Sequence, residues 1–434
     1  MDTTARSAEV PAEEANYRWN FMANVIDLAF FMLGVNMVSQ STILPLLVRE
    51  LTPSKFAIGA IPAIFSLAFL LPQLLSAGYT ERMRRKLPFL IWVSGAFERV
   101  PYLLIGMVVW FFAESAPQAT LAAIFILIAI SATTGGILTP AWYDLIAKVI
   151  PVHRRGLYSG VANGLGAFMG IAGAALGGYF LGQWSFPQNY ALCFAAAYGF
   201  LLVSWAGLAL NREPESTTVK PPIRFFDYIK QLPALLRRDR NYQAFLVSRS
   251  VANLGGMGAG FFIVYGAERF GLDGTQAAAL TGILVGSQAL MNLVWGLLAD
   301  RKGHKLVLAC AAGSMALAAL TALLAGSPEV LWLVFFLLGS SIAADSVSGL
   351  NIILEFSAPE DRPTYIGLTN TLLAPAKVLA PLIGGSLATW LGYPALFTVA
   401  LLVAVTGSLL LSVWLQEPRL RNQLLLMNEP GANS

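Results

Sequence analysis

Charged residues are scarce in this sequence. Asp, Glu, Lys and Arg make up 12% of its 434 residues, about half of the roughly 25% found in soluble globular proteins. Apolar residues make up 56%, and the mean hydropathy is +0.65. A folded chain with so little charge cannot cover its surface with polar groups, so most of that surface faces something other than water. This composition predicts a protein that lies in a lipid bilayer.

Cysteine and histidine are nearly absent. Cys193 and Cys310 each lie inside an apolar run, which is typical of small packed residues and disfavours a disulfide or a thiolate metal site. The two histidines, His153 and His304, lie in basic loops, and no H-E-x-x-H motif occurs. An intramembrane metalloprotease needs that motif, and a haem enzyme needs histidines within its helices. We predict that the protein is not an enzyme and has no catalytic residues, metal or cofactor.

Long apolar runs dominate the rest of the chain. A bilayer core about 30 Å thick needs about 20 apolar residues per helix. Twelve runs of this length occur, the first over Phe21–Val48 and the last ending at Leu415. Membrane strands are shorter and alternate strictly between apolar and polar residues. The sequence therefore predicts an all-α integral membrane protein with twelve transmembrane helices.

The apolar runs form two groups of six. They predict a cytoplasmic tail at 1–20, a six-helix bundle at 21–210, a linker at 211–240, a second six-helix bundle at 241–416 and a cytoplasmic tail at 417–434. Between Phe225 and Leu236 the linker carries apolar residues at helical spacing beside basic ones, a pattern typical of a helix lying on the membrane surface. A solvated linker is the alternative.

Basic residues are distributed unevenly between the connections. With the N-terminus inside, 22 of the 28 Lys and Arg fall in inward segments, and the outward loops hold Arg49, Lys55 and Arg269. By the positive-inside rule, we expect both termini in the cytoplasm and the protein in the cytoplasmic membrane. Contact with anionic lipid explains the remaining basic charge, so no nucleic-acid partner is predicted.

The two halves repeat each other in sequence. Six residues of the first half recur at constant spacing in the second: Arg155, Tyr158, Gly160, Asn163, Gly177 and Gly178 become Arg362, Tyr365, Gly367, Asn370, Gly384 and Gly385. An internal repeat of six helices predicts two pseudo-symmetric halves.

A short motif follows the eighth run. Its residues are Gly296, Asp300, Arg301, Gly303, His304 and Lys305, and they resemble the signature G-x-x-x-D-R/K-x-G-R/H-K of the major facilitator superfamily. A partial copy, with Glu81, Arg82 and Arg85, follows the second run. The resemblance covers nearly the whole chain. It implies the fold of that family and a monomeric secondary transporter that moves a small organic solute by alternating access, coupled to protons.

In that family the motif holds the cytoplasmic helix ends together in one conformation. The resemblance implies an ion pair between Arg85 and Asp144, and a part in the same cytoplasmic gate for Arg155, Glu355 and Arg362. The last two also resemble an E-x6-R pattern of sugar-carrying relatives. The alternative is that these charges only mark the boundary with water.

Small residues are concentrated in the fifth and eleventh runs. Gly164–Gly178 and Ala380–Gly385 resemble the family's antiporter motif G-P-x-x-G-G, which favours efflux. Ordinary close packing of helices is the alternative.

Six charged residues lie inside the predicted helices. They are Asp27, Glu98, Arg99, Arg249, Asp345 and Lys377. Each costs roughly 2.5–3.5 kcal/mol at mid-membrane, so a functional role is expected. Burial and a nearby cation change a carboxylate's proton affinity in opposite directions, so either acid of the first half is a candidate proton carrier, with Asp27 favoured by its helix. Asp27 and Arg249 are expected to meet across the halves. Fixed pairs, Glu98–Arg99 and Asp345–Lys377, are the alternative.

By the resemblance, helices one, four, seven and ten line a central cavity. Polar candidates for solute contact are Asn36, Gln40, Trp142, Tyr143, Asn253, Gln288 and Asn292; interhelical hydrogen bonds are the alternative for each. The glycine-rich run Gly255–Gly260 predicts a bending segment in helix seven.

Several solute classes are compatible with these residues, namely sugars, peptides, amphiphilic drugs and organic anions. Two other functions remain as alternatives. One is an uptake permease for sugars or related nutrients. The other is a membrane receptor that does not transport, although the longest cytoplasmic segment, about 30 residues by these boundaries, leaves little room for an output domain.

Overall fold

The computed structural model describes residues 16–80, 83–151, 154–215, 239–356 and 362–418. Over these ranges it is helical, and twelve helices are long and apolar enough to cross a membrane. The predicted all-α fold with twelve spans is confirmed. The helices are α1 Tyr17–Met37, α2 Lys55–Thr80, α3 Leu87–Phe112, α4 Pro117–Val149, α5 Arg155–Gln183, α6 Gln188–Ala209, α7 Arg240–Phe270, α8 Gly274–Lys302, α9 His304–Leu323, α10 Val330–Phe356, α11 Arg362–Trp390 and α12 Gly392–Trp414. The predicted surface helix of the linker lies outside the described residues.

The first apolar run is interrupted. The helix ends at Met37, and a short helix, Ile43–Leu51, continues the run. Between them the Oγ of Ser39 accepts the Ser41 backbone N–H at 3.4 Å, and such local bonds compete with helical ones. Pro45 also lacks the N–H that would have bonded one turn back. The break leaves Gln40 exposed midway along the span, whereas Ser39 and Thr42 are buried.

Two other helices change pitch. In α3 the turn Ser94–Arg99 is widened to a π-helix just before Pro101, and such turns are frequent at functional sites. In α7 the segment Gly256–Phe261 tightens to a 3₁₀ helix. The glycine run of α7 therefore departs from α-helical geometry, and the bend predicted there stays a prediction.

We call the end where α1 begins and α12 finishes the terminal end, and the opposite end the distal end. The buried apolar residues divide accordingly. One large cluster at the distal end joins both halves, with Leu47 and Ile61 in contact with the same core as Phe261 and Leu284. At the terminal end each half has a separate cluster. The halves therefore share a core at the distal end and have separate cores at the terminal end.

The repeated glycine pairs occupy equivalent contacts in the two halves. A Cβ on Gly177 of α5 would collide with the backbone of α1 in the same half, and one on Gly178 would meet Ala278 of α8 in the other half. Gly384 of α11 contacts α7 in the same way, and Gly385 contacts the start of α2. These contacts explain the glycines by close packing within and between the halves.

Candidate functional site

A buried ion network lies inside the first half. The widened turn of α3 carries Glu98 and Arg99 as neighbours, and the Nη1 atom of Arg99 donates to Glu98 Oε2 at 2.8 Å. The Nη2 atom of Arg99 lies 3.6 Å from Asp27 Oδ1 of α1. Its remaining donors bond the Leu201 carbonyl at 3.1 Å and the Ser204 hydroxyl at 3.1 Å, both on α6. One guanidinium therefore lies between two carboxylates, which gives the network a formal charge of −1.

Asp27 points into the first bundle. Its Oδ1 accepts the hydroxyl of Ser204 at 2.6 Å, and its Oδ2 accepts the indole N–H of Trp142 at 3.4 Å. The predicted contact with Arg249 is not formed, because α1 and α7 belong to different bundles and the bundles separate at the terminal end. Trp142 was predicted to contact solute, but in the structure it supports Asp27.

The second half contains a different arrangement of charges. Arg249 of α7 pairs with Asp345 of α10, and both belong to the same bundle. The predicted pair of Asp345 with Lys377 is therefore wrong in this conformation. Among the described residues, no ion pair or hydrogen bond to Lys377 is found. Two cations and one carboxylate give this half a formal intramembrane charge of +1.

A cavity of about 220 Å³ lies between the two halves, and we call it the inter-half cavity. Helices α2, α7 and α11 and the break after α1 line it; its lining residues are Gln40, Ser41, Pro62, Ser66, Asn253, Gly256, Ala259, Gly260, Lys377, Ala380 and Pro381. Helices α4 and α10, which the resemblance placed at the cavity, contribute nothing to this lining. Of the predicted solute contacts, Gln40 and Asn253 are present.

The remaining predicted contacts lie outside this lining. Asn36 donates to the Met32 carbonyl at 2.8 Å and contacts α5. Tyr143 is 65% exposed and packs edge-on against Trp142. Gln288 is half-buried and Asn292 is exposed on α8. Sequence reasoning missed the lining residues Ser41 and Ser66, and it assigned Lys377 to an ion pair. Hydroxyls near prolines in an apolar helix are a usable signal for Ser66, which lies four residues after Pro62.

A smaller cavity of about 30 Å³ lies within the first half, enough room for a single water molecule. Its polar lining consists of Gln40, Tyr102 and Ser131. The hydroxyl of Ser131 donates to the Glu98 carbonyl at 2.8 Å. Gln40 lines both cavities and so connects the inter-half cavity with the neighbourhood of the ion network.

The partial motif after α2 forms contacts within its own half. Glu81 and Arg82 lie outside the described residues. Asp144 pairs with Lys86, whereas Arg85 lies 3.1 Å from Glu215. The predicted pair of Arg85 with Asp144 is therefore not formed. Lys86 is preferred because its side chain is 7% exposed and packs beside α4, whereas that of Arg85 is 58% exposed.

Glu213 completes this cluster, and sequence reasoning did not single it out. Its carboxylate accepts the backbone N–H groups of Lys86 and Leu87 at 2.7–2.9 Å and the ammonium of Lys148 at 2.9 Å. Backbone N–H groups at a helix start lack helical partners, and an anion there is favourable. Glu213 therefore fixes the start of α3 to the end of α4.

The complete motif after α8 has the same design. Gly303 has φ +89°, a conformation that favours glycine. Glu417, after α12, accepts the Lys305 N–H at 3.1 Å. His304 contacts Ser348 of α10 at 3.0 Å and lies 3.9 Å from Glu355. These contacts all lie within the second half.

The other motif residues lie at the terminal end. A Cβ on Gly296 would meet no atom within 4 Å, and Asp300 and Arg301 are exposed at the end of α8. Arg155 donates to the Ala147 carbonyl at 2.6 Å and so ties α5 to the end of α4. The Arg362 side chain lies outside the described part of the chain.

Cross-half bonds occur at the distal end. The hydroxyls of Thr42 and Thr281 lie 2.5 Å apart. The Lys55 ammonium lies 3.7 Å from Glu268 and 4.0 Å from the ring centre of Tyr393. Together with the shared core, these bonds close the distal end. The two bundles are therefore joined at the distal end, whereas their apolar cores at the terminal end are separate.

The sequence model of the Major Facilitator Superfamily matches residues 26–266 and 245–430, nearly the whole chain. The chain belongs to this superfamily. It is a multi-pass membrane transporter, and small-molecule solutes are what transporters of this superfamily carry.

Curated relatives match over shorter stretches. The multi-drug resistance efflux pump PmrA of Streptococcus pneumoniae is 27% identical over 135 residues, 30% of this chain and 33% of PmrA. The multidrug resistance protein MdtG of Dickeya zeae is 31% identical over 144 residues, 31% of this chain and 34% of MdtG. The matched stretch thus spans about a third of each of these superfamily members.

Solved structures share the fold along the whole chain. A single-residue variant of the nucleoside transporter NupG has a TM-score of 0.70 at 13% identity, covering 91% of this chain and 98% of NupG. The xylose transporter XylE of E. coli, in a partially occluded inward-open conformation, has a TM-score of 0.66 at 12% identity, covering 92% and 98%. A bacterial Spinster homologue in an inward-facing conformation has a TM-score of 0.64 at 14% identity, covering 96% and 98%. These superfamily members share the two-bundle architecture.

Proposed function

We propose that this superfamily member is a proton-coupled carrier that exports a small organic solute across the cytoplasmic membrane by alternating access. The observation that carries the proposal is the network of Asp27, Glu98 and Arg99, whose two carboxylates share one guanidinium. Such a network has a formal charge of −1 inside the membrane. Because an unbalanced charge is costly there, uptake of one proton neutralises it.

Glu98 is the group that we assign to this proton. Asp27 accepts two hydrogen bonds besides its contact with Arg99, and these stabilise its charged form. Among the described residues, Arg99 is the hydrogen-bond donor to the Glu98 carboxylate. The Glu98 side chain is also more exposed than that of Asp27, at 18% against 7%. A Cβ on Gly135 of α4 would lie 3.2 Å from Glu98 Oε1, so this glycine leaves room for the carboxylate.

The small cavity supplies a path for the proton. Tyr102 and Ser131, next to Glu98, line it together with Gln40, and Gln40 also lines the inter-half cavity. This space has room for one water molecule, and its polar lining extends from Gln40 to Ser131, which bonds the Glu98 backbone carbonyl. Solute binding in the inter-half cavity and proton binding at Glu98 then influence each other through Gln40.

The orientation and direction rest on separate arguments. The excess of basic residues in alternate connections favours the terminal end in the cytoplasm, so the conformation is open to the cytoplasm. Export is supported by the names of PmrA and MdtG as multidrug resistance proteins. In this scheme the solute enters from the cytoplasm, and an inward-moving proton drives its release outside.

The test measures solute-dependent proton movement in proteoliposomes that contain a pH-sensitive dye. A broad panel of small solutes is applied to the native protein and to the Glu98→Gln, Asp27→Asn and Glu114→Gln variants. We expect a response in the native protein that is lost in Glu98→Gln, while counterflow of labelled solute down its gradient persists. Glu114→Gln is the matched control, because Glu114 is exposed in the loop between α3 and α4.

Two results would overturn the proposal in different ways. Intact proton movement in Glu98→Gln excludes this carboxylate as the proton site, and loss in Asp27→Asn alone transfers the role to Asp27. Counterflow without proton movement in the native protein identifies a facilitator.

Proteoliposomes of known orientation then decide the direction of transport, because accumulation of solute on the side of the distal end indicates export.

A further inference from the structure

The inter-half cavity is rich in hydrogen-bond donors and has no acid in its lining. Lys377 supplies an ammonium, Gln40 and Asn253 supply amides, and Ser41 and Ser66 supply hydroxyls. The eleven residues that line it include no Asp or Glu. The other lining groups are small or apolar, so the only full charge presented to a solute by this lining is positive.

Lys377 lacks a counter-ion within the described residues. Asp345, the acid that the sequence suggested for it, is bound by Arg249. Asp345 therefore already has a cationic partner in Arg249 of the same half. Charged side chains inside a membrane protein are normally paired with one another. An ammonium that faces a cavity without such a pair is poised to bind an anion.

A second, independent group points to the same ligand chemistry. The amide nitrogen of Asn253 is buried and has no hydrogen-bond partner among the described residues. A buried donor without a partner costs about 1–3 kcal/mol. Asn253 of α7 lines the same cavity as Lys377 of α11. A solute acceptor in the cavity satisfies both donors.

The size of the cavity limits the solute. Its volume of about 220 Å³ is below the roughly 300–1,000 Å³ of sites for drug-sized ligands. Glycines create much of this space: a Cβ on Gly256 would meet no atom within 4 Å, and one on Gly260 would just reach Pro62. The cavity therefore fits a small molecule better than a large amphiphilic drug.

We infer that the solute is a small organic anion, a carboxylate, whose charged group is bound by Lys377 and Asn253 while its remainder lies against Pro62, Ala259 and Pro381. This inference rests on the proposed transport function and specifies its substrate class. The excess positive charge of the second half is then balanced by the solute, as the excess negative charge of the first half is balanced by a proton. With both ligands loaded, each half is formally neutral in its membrane interior.

The test is equilibrium binding, which requires neither transport nor proton coupling. Purified full-length protein in lipid nanodiscs is titrated with a panel of small carboxylic acids, each compared with its own primary amide. An amide has nearly the shape of the acid but no charge. We expect acids of suitable size to bind and their amides to bind roughly tenfold to a hundredfold more weakly.

Variants locate the charge that is responsible. Lys377→Gln is expected to reduce acid binding to the level of the amide, and Lys377→Arg to retain a preference for the acid. Lys302→Gln is the matched control, because it removes the same charge from the exposed end of α8. Gly256→Leu is expected to abolish binding of both by filling the cavity. Folding of each variant is checked by size-exclusion chromatography.

Two outcomes would overturn the inference. If no acid in the panel binds more tightly than its amide, the cavity does not select an anion. If acids bind Lys377→Gln as tightly as the native protein, the anion site lies elsewhere. Neither outcome depends on proton movement, so a proton-coupled carrier of neutral solutes would pass the transport test and fail this one.

Discussion

Thr42 and Thr281 share a buried hydrogen bond at 2.5 Å that crosses between the two halves of the transporter. Thr42 lies at the end of the break in the first membrane span, and Thr281 lies in the second turn of α8. The Thr281 hydroxyl also lies 3.0 Å from the Ala277 carbonyl of its own helix. In an alternating-access cycle the two halves separate at the distal end, so this bond exists in one conformation and is broken in the other.

Removing this bond is expected to shift the conformational equilibrium. Thr42→Val or Thr281→Val keeps the side-chain volume but loses the hydroxyl. A hydrogen bond between membrane helices contributes about 0.6–1 kcal/mol, so the population open at the distal end rises about threefold to fivefold. The measurement is labelling of a Ser66→Cys cavity residue by an impermeant maleimide added from each side, with Cys193→Ser and Cys310→Ser in the background.

A matched variant tests whether the effect is specific. Thr398→Val removes a hydroxyl that bonds only the Pro394 carbonyl of its own helix at 2.8 Å, and it is expected to leave the labelling pattern unchanged. The double variant Thr42→Val with Thr281→Val should match either single variant. Additive effects of the two substitutions would show that the bond is not what joins these positions.

Gly59 is expected to tolerate no side chain in the conformation closed at the distal end. A Cβ at Gly59 of α2 would collide with the Pro381 carbonyl of α11, and a backbone atom cannot move aside as a side chain can. Gly59→Ala should therefore favour the conformation open at the distal end and reduce transport, as measured by the same labelling and by solute counterflow. Gly164→Ala, at a position with no atom within 4 Å, should retain both. Normal cavity labelling in Gly59→Ala would contradict the observed helix contact.

The number of helices and the repeat were predictable because the bilayer and the internal duplication impose them. A span needs a fixed length of apolar residues, and glycines at equivalent positions, such as Gly177 and Gly384, contact equivalent partners in each half. The break between Met37 and Ile43 was harder to predict from the sequence, because it depends on competition between side-chain and backbone hydrogen bonds. From the sequence, such a run of apolar and hydroxyl residues predicts one continuous helix.

The ion pairs were not predictable from depth alone. Sequence gives the distance of a residue along its helix, but not the direction in which its side chain points. Asp345 and Lys377 form one of the fixed pairs considered from the sequence, yet in the structure Asp345 pairs with Arg249 and Lys377 lines the cavity. Partner choice depends on how the helices are rotated, and tertiary packing sets that rotation. Which charged side chain lines the inter-half cavity was therefore decided only by the fold.

A repeated Glu-Pro pair was a signal that sequence reasoning did not use. Glu213 and Pro214 follow α6, and Glu417 and Pro418 follow α12. Each glutamate accepts backbone N–H groups near the start of another helix of its own half. Asn20 and Asn241 add matching bonds to the residue before each glutamate. The Glu-Pro pair recurs because the same contact between helix ends is present in both halves.

Glu213 is expected to stabilise the first half. Glu213→Gln keeps the shape but removes the charge that faces Lys148 and the start of α3. The Glu213 side chain is 2% exposed, so its substitution is expected to lower the free energy of unfolding by about 2 kcal/mol. The measurement is the thermal unfolding midpoint in detergent, which should fall. Glu215→Gln removes the same charge two residues later, where the side chain is 60% exposed, and should change the midpoint little. Equal midpoints for the two variants would contradict the role given to Glu213.

Arg249 and Asp345 are expected to be interdependent. The Arg249 side chain is 7% exposed and that of Asp345 is 40% exposed. Removing one partner of an ion pair leaves the buried partner uncompensated, whereas removing both partners is often nearly neutral. Asp345→Asn should therefore reduce the yield of folded protein, because the buried Arg249 would then lack its acid. The double variant Arg249→Gln with Asp345→Asn should recover folded protein, measured by fluorescence-detected size-exclusion chromatography.

A second double variant, Asp345→Asn with Lys377→Gln, decides between the observed Arg249–Asp345 pair and the Asp345–Lys377 pair considered from the sequence. If Asp345 stabilises Arg249, then Lys377→Gln does not rescue Asp345→Asn, because the unpaired guanidinium remains. If Lys377→Gln rescues it and Arg249→Gln does not, Asp345 neutralises Lys377, and the anion site loses its free cation. The first double variant keeps Lys377 and should keep the acid-over-amide selectivity in binding, whereas the single variant Lys377→Gln should lose that selectivity.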